Sequence, residues 1–369
     1  RHRRWCRFAQ RDGTRADGAA DKLTHALPVS PLMTCPTPFV APLKALRLMW
    51  FGCVLWCLPT FASADALTDL KRLQAERGAR ISALVFDLDN DEVLTSLNAR
   101  KRVSPASLTK LVLASAALET WSGDHQFSTQ VQGTPPDATG VISGDLWISG
   151  EGDPSFEHRD LWLLAARLKQ AGVRLIDGDI VASYAPFGML PCETKDRCDA
   201  AQGSHTAYDA PLSALGVDYG TWCIDVLPQQ PGHAATLAHC AAIDVPIPLQ
   251  GAVASRASDR PNGLWLDRRS IGGEDRLVMG GEISREARLY RSMGDPALGT
   301  AQLLRQALNE LGVGVTGSVH ASESAAPEHL VPLARHEGTP LRHQVTSLLR
   351  YSNNYISDML TLGLALQRT

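Results

Sequence analysis

The chain has 369 residues, 44% of them apolar and 20% charged, which is enough to fill one large core or two to three smaller ones and argues against disorder. Its formal charge of −3 hides an asymmetry: residues 1–64 carry nine Lys/Arg against three Asp/Glu, leaving 27 basic and 36 acidic groups in the rest. A mildly acidic body offers no basic face to displace counterions from phosphates, so nucleic-acid binding is excluded as a main function.

The first 64 residues read as targeting sequence. Lys44 and Arg47 precede an apolar run from Leu48 to Leu58, and Ala62-Ser63-Ala64 supplies small residues for cleavage. The run is about half of the roughly 20 residues a helix needs to cross a bilayer, so it predicts an exported, extracytoplasmic or periplasmic protein and no permanent anchor. The chain opens on Arg1, and Met33 or Met49 would each start a sensible leader. Residues 1–32 therefore read as a non-native upstream segment and 33–64 as the signal peptide. Cys53 and Cys57 follow bulky Trp50 and Trp56 and fit a lipidation site poorly.

From Ile81 to Leu88 the chain is largely apolar, Asp89-Asn90-Asp91 is turn chemistry, and Glu92 to Leu97 returns, which predicts a β-hairpin. Pro105-Ala106 then leads into a run of good helix formers from Ser107 to Glu119, closed by Gly123. That helix is nearly apolar all round, which predicts burial inside a domain with Ser107 at its first turn. From Phe127 to about Arg288 short alternating strands, one amphipathic helix near Asp160 to Ala171 and many Gly and Pro punctuators predict an inserted, strand-rich region. Further helices are predicted over 296–311 and 341–350, and a third runs to Leu366 after Tyr351-Ser-Asn-Asn-Tyr355. The sequence stops inside that last helical pattern with no capping Gly or Pro.

Four cysteines remain after residue 64: Cys192, Cys198, Cys223 and Cys240. An even number in an exported protein predicts disulfides. Three pairings are open, of which Cys192 with Cys198 and Cys223 with Cys240 closes the shortest loops. No Cys-x-x-Cys is present, and His233 and His239 lack the spacing of a zinc site, so neither a metal nor a cofactor is expected.

Ser107 and Lys110 lie three positions apart on one helix face, within reach of each other. A serine hydroxyl must lose its proton as it attacks a carbonyl, and a desolvated lysine can drop its pKa far enough to take it. The bland reading is a helix N-cap and a solvated lysine. Against it, Lys110 is the only one of seven lysines so placed, and it opens a helix that is otherwise apolar. Ser352-Asn353-Asn354, between two predicted helices, is a short polar run that can either cap the second helix or project into a cleft. The other Ser-x-Asn, Ser96-Leu97-Asn98, ends a predicted strand and has an apolar middle residue, so Ser352 and Asn354 are the better pair.

Ser-x-x-Lys at a helix start and a later Ser-x-Asn between helices are two of the three motifs of penicillin-recognising serine enzymes. The chain resembles the D-alanyl-D-alanine carboxypeptidase/endopeptidase family, the low-molecular-mass class C penicillin-binding proteins. Four stretches carry the resemblance: Ser104-Pro-Ala-Ser-Leu-Thr-Lys110, Gly144-Asp-Leu-Trp-Ile-Ser-Gly-Glu-Gly-Asp-Pro154, Tyr208-Asp-Ala-Pro-Leu-Ser-Ala214 and Leu349-Arg-Tyr-Ser-Asn-Asn-Tyr-Ile-Ser-Asp358. It implies an α+β fold, a helix-flanked antiparallel sheet of the beta-lactamase/transpeptidase type. The catalytic domain would comprise 65–127 and 291–369, interrupted by inserted domains over 128–290.

The resemblance further implies that Ser107 attacks the carbonyl between two D-alanines of a peptidoglycan stem peptide, with Lys110 or another group as the acylation base. Ser352 would relay a proton to the leaving amine, Asn354 would hold the substrate amide, and beta-lactams would acylate the same serine as covalent inhibitors. Asp153 is either a contact for the amino group of a diaminopimelate side chain or a turn-forming residue before Pro154. The third motif, Lys-Thr-Gly or a close variant, is absent, since no lysine is followed by Ser or Thr. The resemblance places it beyond residue 369, and the C-terminus is expected to be truncated. Its strand would carry the second oxyanion donor beside the N–H of Ser107, and loss of one such donor costs roughly 2.7 to 4 kcal/mol. Two rival readings are a serine beta-lactamase-like hydrolase, which the long insertion opposes, and a non-catalytic peptidoglycan-binding envelope protein. The sequence leaves the oligomeric state open.

Overall fold

A computed structural model describes residues 66–190, 198–199, 205–240, 243–244, 246–257, 261–271 and 274–367. The expected signal peptide and Cys192 lie outside these residues. The chain divides into two compact units, with the boundary between Ser104 and Pro105.

Within the first unit, helix α1 (Ala66–Arg77) is followed by strands β1 (Ala83–Asp87) and β2 (Glu92–Leu97), which pair antiparallel. The predicted turn is built by Asp87, whose Oδ1 accepts from the backbone N–H groups of Asp89 and Asn90, and by Asp91, whose φ of 55° reverses the chain. This hairpin supplies the only strands of the first unit among the described residues.

The second unit begins with a 3₁₀ turn over Ala106–Leu108 and helix α2 (Thr109–Trp121). In chain order there follow β3 (Ser128–Gly133), β4 (Val141–Ser143), β5 (Leu146–Gly150), helix α3 (His158–Gln170), β6 (Leu175–Asp177) and β7 (Ile180–Ser183). Next come β8 (Thr221–Leu227), β9 (Thr236–His239), β10 (Leu249–Ser255), β11 (Gly263–Ile271), β12 (Glu274–Ile283) and β13 (Ala287–Ser292). The remainder is α4 (Pro296–Glu310), β14 (Gly314–Val315), β15 (Val319–Ser322), β16 (Val331–Glu337), α5 (Leu341–Tyr351) and α6 (Asn354–Leu366).

Five strands form a mixed sheet in the order β15-β7-β5-β3-β16, parallel from β15 to β5 and antiparallel from β5 to β16. Helices α3 and α4 cover one of its faces: Val131, Ile148 and Ala182 share a core with Leu161, Leu164 and Leu168 of α3 and Leu304 and Ala307 of α4. Both helices start on local signals, a Glu157–Asp160 capping box for α3 and an Asp295 cap with Pro296 behind it for α4. After residue 291, α4, β15 and β16 complete this sheet. Their partner strands lie more than 130 residues earlier, a pairing that no local pattern in 296–337 encodes.

The strands from β8 to β13 build two three-stranded sheets, β13-β8-β9 and β10-β12-β11, so the insertion is strand-rich as expected. Cys223 on β8 is disulfide-bonded to Cys240, which follows β9, and Cys198 is also disulfide-bonded. The first agrees with the shortest-loop pairing.

Helices α2, α5 and α6 come together around Ala114, Ala117, Leu341, Val345, Leu348, Ile356 and Leu360. The small residues on α2 allow close approach, while 341, 345 and 348 fall on one stripe of α5. The expectation of a wholly buried α2 is corrected here. The helix buries only Lys110, Ala114 and Ala117, and Leu108, Leu111 and Val112 are more than half exposed. Periodicity cannot reveal which apolar face a helix buries when both faces are apolar.

Leu348 has no exposed surface, so Leu348→Ala leaves a cavity at the α2–α5 contact. The expected loss is about 2 to 5 kcal/mol in chemical denaturation, and a loss below about 1 kcal/mol would mean that the three helices do not form one packed cluster.

Candidate active site

Ser107 sits in the 3₁₀ turn immediately before α2, and Lys110 occupies the first turn of the helix itself. Ala106, just before the nucleophile candidate, has φ of 46°, a left-handed conformation that costs an L-residue roughly 1 to 2 kcal/mol. The turn thereby presents Ser107 to solvent while Lys110, three residues on, is 7% exposed.

The other half of the site comes from the junction of α5 and α6. Ser352 ends α5 in the left-handed region at φ 53° and ψ 37°, and Asn353 caps α6 by accepting from the N–H of Ile356 at 2.9 Å. Asn354 is therefore the first residue of α6. The capping role anticipated for this polar run falls to Asn353, which leaves Ser352 and Asn354 on either side to turn elsewhere.

The four residues singled out in the sequence meet. The ammonium of Lys110 donates to Ser107 Oγ at 3.3 Å and to Asn354 Oδ1 at 2.7 Å, and Ser352 Oγ donates to Ser107 Oγ at 2.7 Å. The serine hydroxyl thus lies between an amine and a second hydroxyl, and once Lys110 is neutral its lone pair is within proton-transfer distance of Ser107 Oγ. Because Asn354 Oδ1 accepts from lysine, its amide nitrogen is the donor left for a bound carbonyl.

Asp153 has a different place. It is 3% exposed, and its Oδ1 accepts from the Ser155 N–H (2.8 Å), the Ser155 hydroxyl (2.6 Å) and Gln344 Nε2 on α5 (3.3 Å). Its Oδ2 is buried without a partner. A Cβ on Gly338 would fall 1.9 Å from that oxygen, so only glycine fits there. Burial pushes the Asp153 carboxyl from its ordinary 3.8 to about 6, against the lowering pull of Ser155, and nearby Asp160 and Glu151 push the same way as burial. Asp153 has the turn-forming role read for it, accepting from the N–H two residues on, and it also braces α5, the helix that ends at Ser352.

Sequence reading missed the rest of this brace. Gln344 Nε2 also donates to the Thr339 carbonyl at 2.7 Å, and Ser155 Oγ accepts from the Thr339 N–H at 2.9 Å. Tyr355 and Met359 on α6 pack with Ala210 and Leu212, within the third stretch quoted for the family resemblance. The one local signal was Gly338-Thr339-Pro340, a turn before a helix. Among the described residues, no cluster of His, Cys, Asp and Glu could hold a metal ion, and no helix is long and apolar enough to cross a membrane.

Residues 64–369 match the family model described as D-Ala-D-Ala carboxypeptidase 3 (S13). A D-alanyl-D-alanine carboxypeptidase of Actinomadura sp. (strain R39) is 29% identical over 297 residues, covering 78% of this chain and 54% of the relative. The D-alanyl-D-alanine carboxypeptidase DacB of Haemophilus influenzae is 23% identical over 321 residues, covering 85% and 64%. The crystal structure of penicillin-binding protein 4 (dacB) from Haemophilus influenzae aligns with a TM-score of 0.59 at 22% identity, covering 80% of this chain and 65% of that one. That likeness shows the expected α+β fold of the transpeptidase-like kind. The chain spans between about half and two thirds of the length of these curated relatives.

The raised carboxyl of Asp153 gives a pH signature. A value of about 6 when folded, against 3.8 ordinarily, means that the folded state holds this proton more tightly. Stability therefore falls as pH rises from about 4 to about 6, and the cost is complete above that. Asp153→Asn should raise the melting temperature at pH 7.5, by the equivalent of roughly 2 to 3 kcal/mol, and converge with the wild type near pH 4. A difference that does not vary with pH would show that the carboxyl is not buried as described.

Proposed function

The chain belongs to the D-Ala-D-Ala carboxypeptidase 3 (S13) family, and from that membership we propose that it is a serine peptidase of peptidoglycan stem peptides, acting through an acyl-enzyme on Ser107. The observation that carries the reading is the placement of Ser107 Oγ 3.3 Å from Lys110 Nζ and 2.7 Å from Ser352 Oγ, with Asn354 tying the lysine from the far wall.

Ser107 Oγ attacks the carbonyl carbon between two D-alanines as Lys110, in its neutral form, accepts the hydroxyl proton. The carbonyl π-bond opens to an oxyanion, which accepts from the backbone N–H of Ser107. The oxyanion collapses, the C–N bond breaks, and Ser352 passes a proton from Lys110 to the departing amine. A terminal D-alanine leaves in the carboxypeptidase reaction, whereas a cross-linked strand leaves in the endopeptidase reaction. Water then attacks the ester, Lys110 takes its proton, and Ser107 is regenerated. A beta-lactam enters by the same first step, its ring amide breaking to leave a stable ester on Ser107. The Haemophilus influenzae penicillin-binding protein 4 structure complexed with a beta-lactam supports that part of the proposal.

Extracytoplasmic work fits the same reading. The Cys223–Cys240 disulfide is the kind of bond that persists in oxidising compartments, and the peptidoglycan substrate lies outside the cytoplasm.

A fluorescent penicillin should label the natural full-length protein and fail to label its Ser107→Ala variant, and equal labelling of the two would overturn the assignment of the nucleophile. Lys110→Ala should slow acylation about 10²- to 10⁴-fold with its fold intact by circular dichroism. Acylation within tenfold of wild type would remove Lys110 from the proton path.

A further inference from the structure

The five-stranded sheet has a second face. Strand alternation turns Val131, Ile148 and Ala182 into the core with α3 and α4, so Gln130, Gln132, Trp147, Ser149 and Ser183 lie on the opposite side. On that side is a groove of about 270 Å³ lined by Ser128, Gln130, Gln132, Ser149 and Glu151 and, from the segments that follow β7 and β15, by alanines and Pro186. An ordinary solvated sheet face carries Lys, Glu and Thr, whereas these are primary amides, hydroxyls and one carboxylate. Ser149 Oγ donates to Gln132 Oε1 at 3.3 Å, and Glu151 Oε2 accepts from the Ser128 N–H at 2.8 Å, so the polar groups are held in fixed positions.

One polar atom in the lining is unmet. Ser128 is 1% exposed, and its hydroxyl is buried with no hydrogen-bond partner among the described residues. A buried hydroxyl without a partner costs about 1 to 3 kcal/mol, which a ligand that reached it would recover. No Lys, Arg or His lines the groove, which speaks against a phosphate or carboxylate ligand. Amides that both donate and accept, flanked by hydroxyls, a carboxylate acceptor and the apolar surface of Ala185, Pro186, Ala325 and Ala326, complement the acetamido group, the hydroxyls and the apolar C–H face of an N-acetylated amino sugar.

We propose that this groove binds the N-acetylated amino-sugar strand of the polymer, a glycan site separate from Ser107. The proposal rests on the peptidoglycan reading above for its choice of polymer, but the site is recognised by sugar chemistry and its test does not involve the peptidase reaction.

The probe is the β-1,4-linked tetramer of N-acetylglucosamine, titrated calorimetrically into the natural full-length protein. Saturable binding in the micromolar to millimolar range is expected, at least tenfold weaker in Gln130→Ala and in Gln132→Ala and unchanged in Ser107→Ala. Gln130→Ala carries the test alone if Gln132→Ala lowers the melting temperature. A glucose tetramer of the same linkage, which lacks the acetamido group, should bind at least tenfold more weakly. Absence of binding, equal binding of the two tetramers, or binding indifferent to Gln130→Ala would each overturn the proposal. Penicillin labelling of Gln130→Ala at the wild-type rate is expected. Glycan binding without any penicillin labelling of the wild type would sink the peptidase reading and leave the glycan site standing.

Discussion

The ammonium of Lys110 is the constraint from which the rest of the site follows. An alkylammonium taken out of water at 7% exposure must be given oxygen acceptors or lose its proton, and two of its acceptors are Ser107 Oγ, one helical turn back, and Asn354 Oδ1, 244 residues away. That second contact fixes the start of α6 against the start of α2. With the α6 terminus fixed, the left-handed turn at Ser352 has little freedom, and its hydroxyl arrives 2.7 Å from Ser107. The amine thus locates the groups around it.

Packing carries that constraint outward. The Ala114 and Ala117 face of α2 admits α5 and α6 closely enough for these short contacts, and Leu348 lies in the same cluster shortly before Ser352. Behind α5, Asp153, Ser155, Gln344 and Thr339 form a buried polar brace that joins the helix to the strand-rich insertion. On α6, Tyr355 and Met359 rest on Ala210 and Leu212. The insertion is consequently part of the scaffold that aims Ser352 and Asn354. Changes in it can be felt at Ser107 without any of its residues touching substrate.

Some elements were plain in the sequence because their causes are local. The hairpin around Asp89-Asn90-Asp91, the helix behind Ser107 and the polar run before α6 each follow from turn chemistry, helix formers and capping within a few residues. The turn at Asp153 was legible, but its burial was not, because that is decided by Gln344 and Gly338, nearly two hundred residues later. The return of α4, β15 and β16 to the five-stranded sheet was hidden for the same reason.

By itself the sequence determined which side chains could do the chemistry, since helical spacing alone brings a serine and a lysine three residues apart onto one face, and a Ser-x-Asn between two helices offers polar groups either to cap the second or to project. Tertiary structure alone decided that these two pairs share one site, that Asp153 is buried under a helix, and that the sheet presents a polar groove on the face turned away from α3 and α4. The physical reason is that reactivity is written in residue type and local period, whereas burial, register and encounter depend on contacts between segments whose separation along the chain carries no local trace.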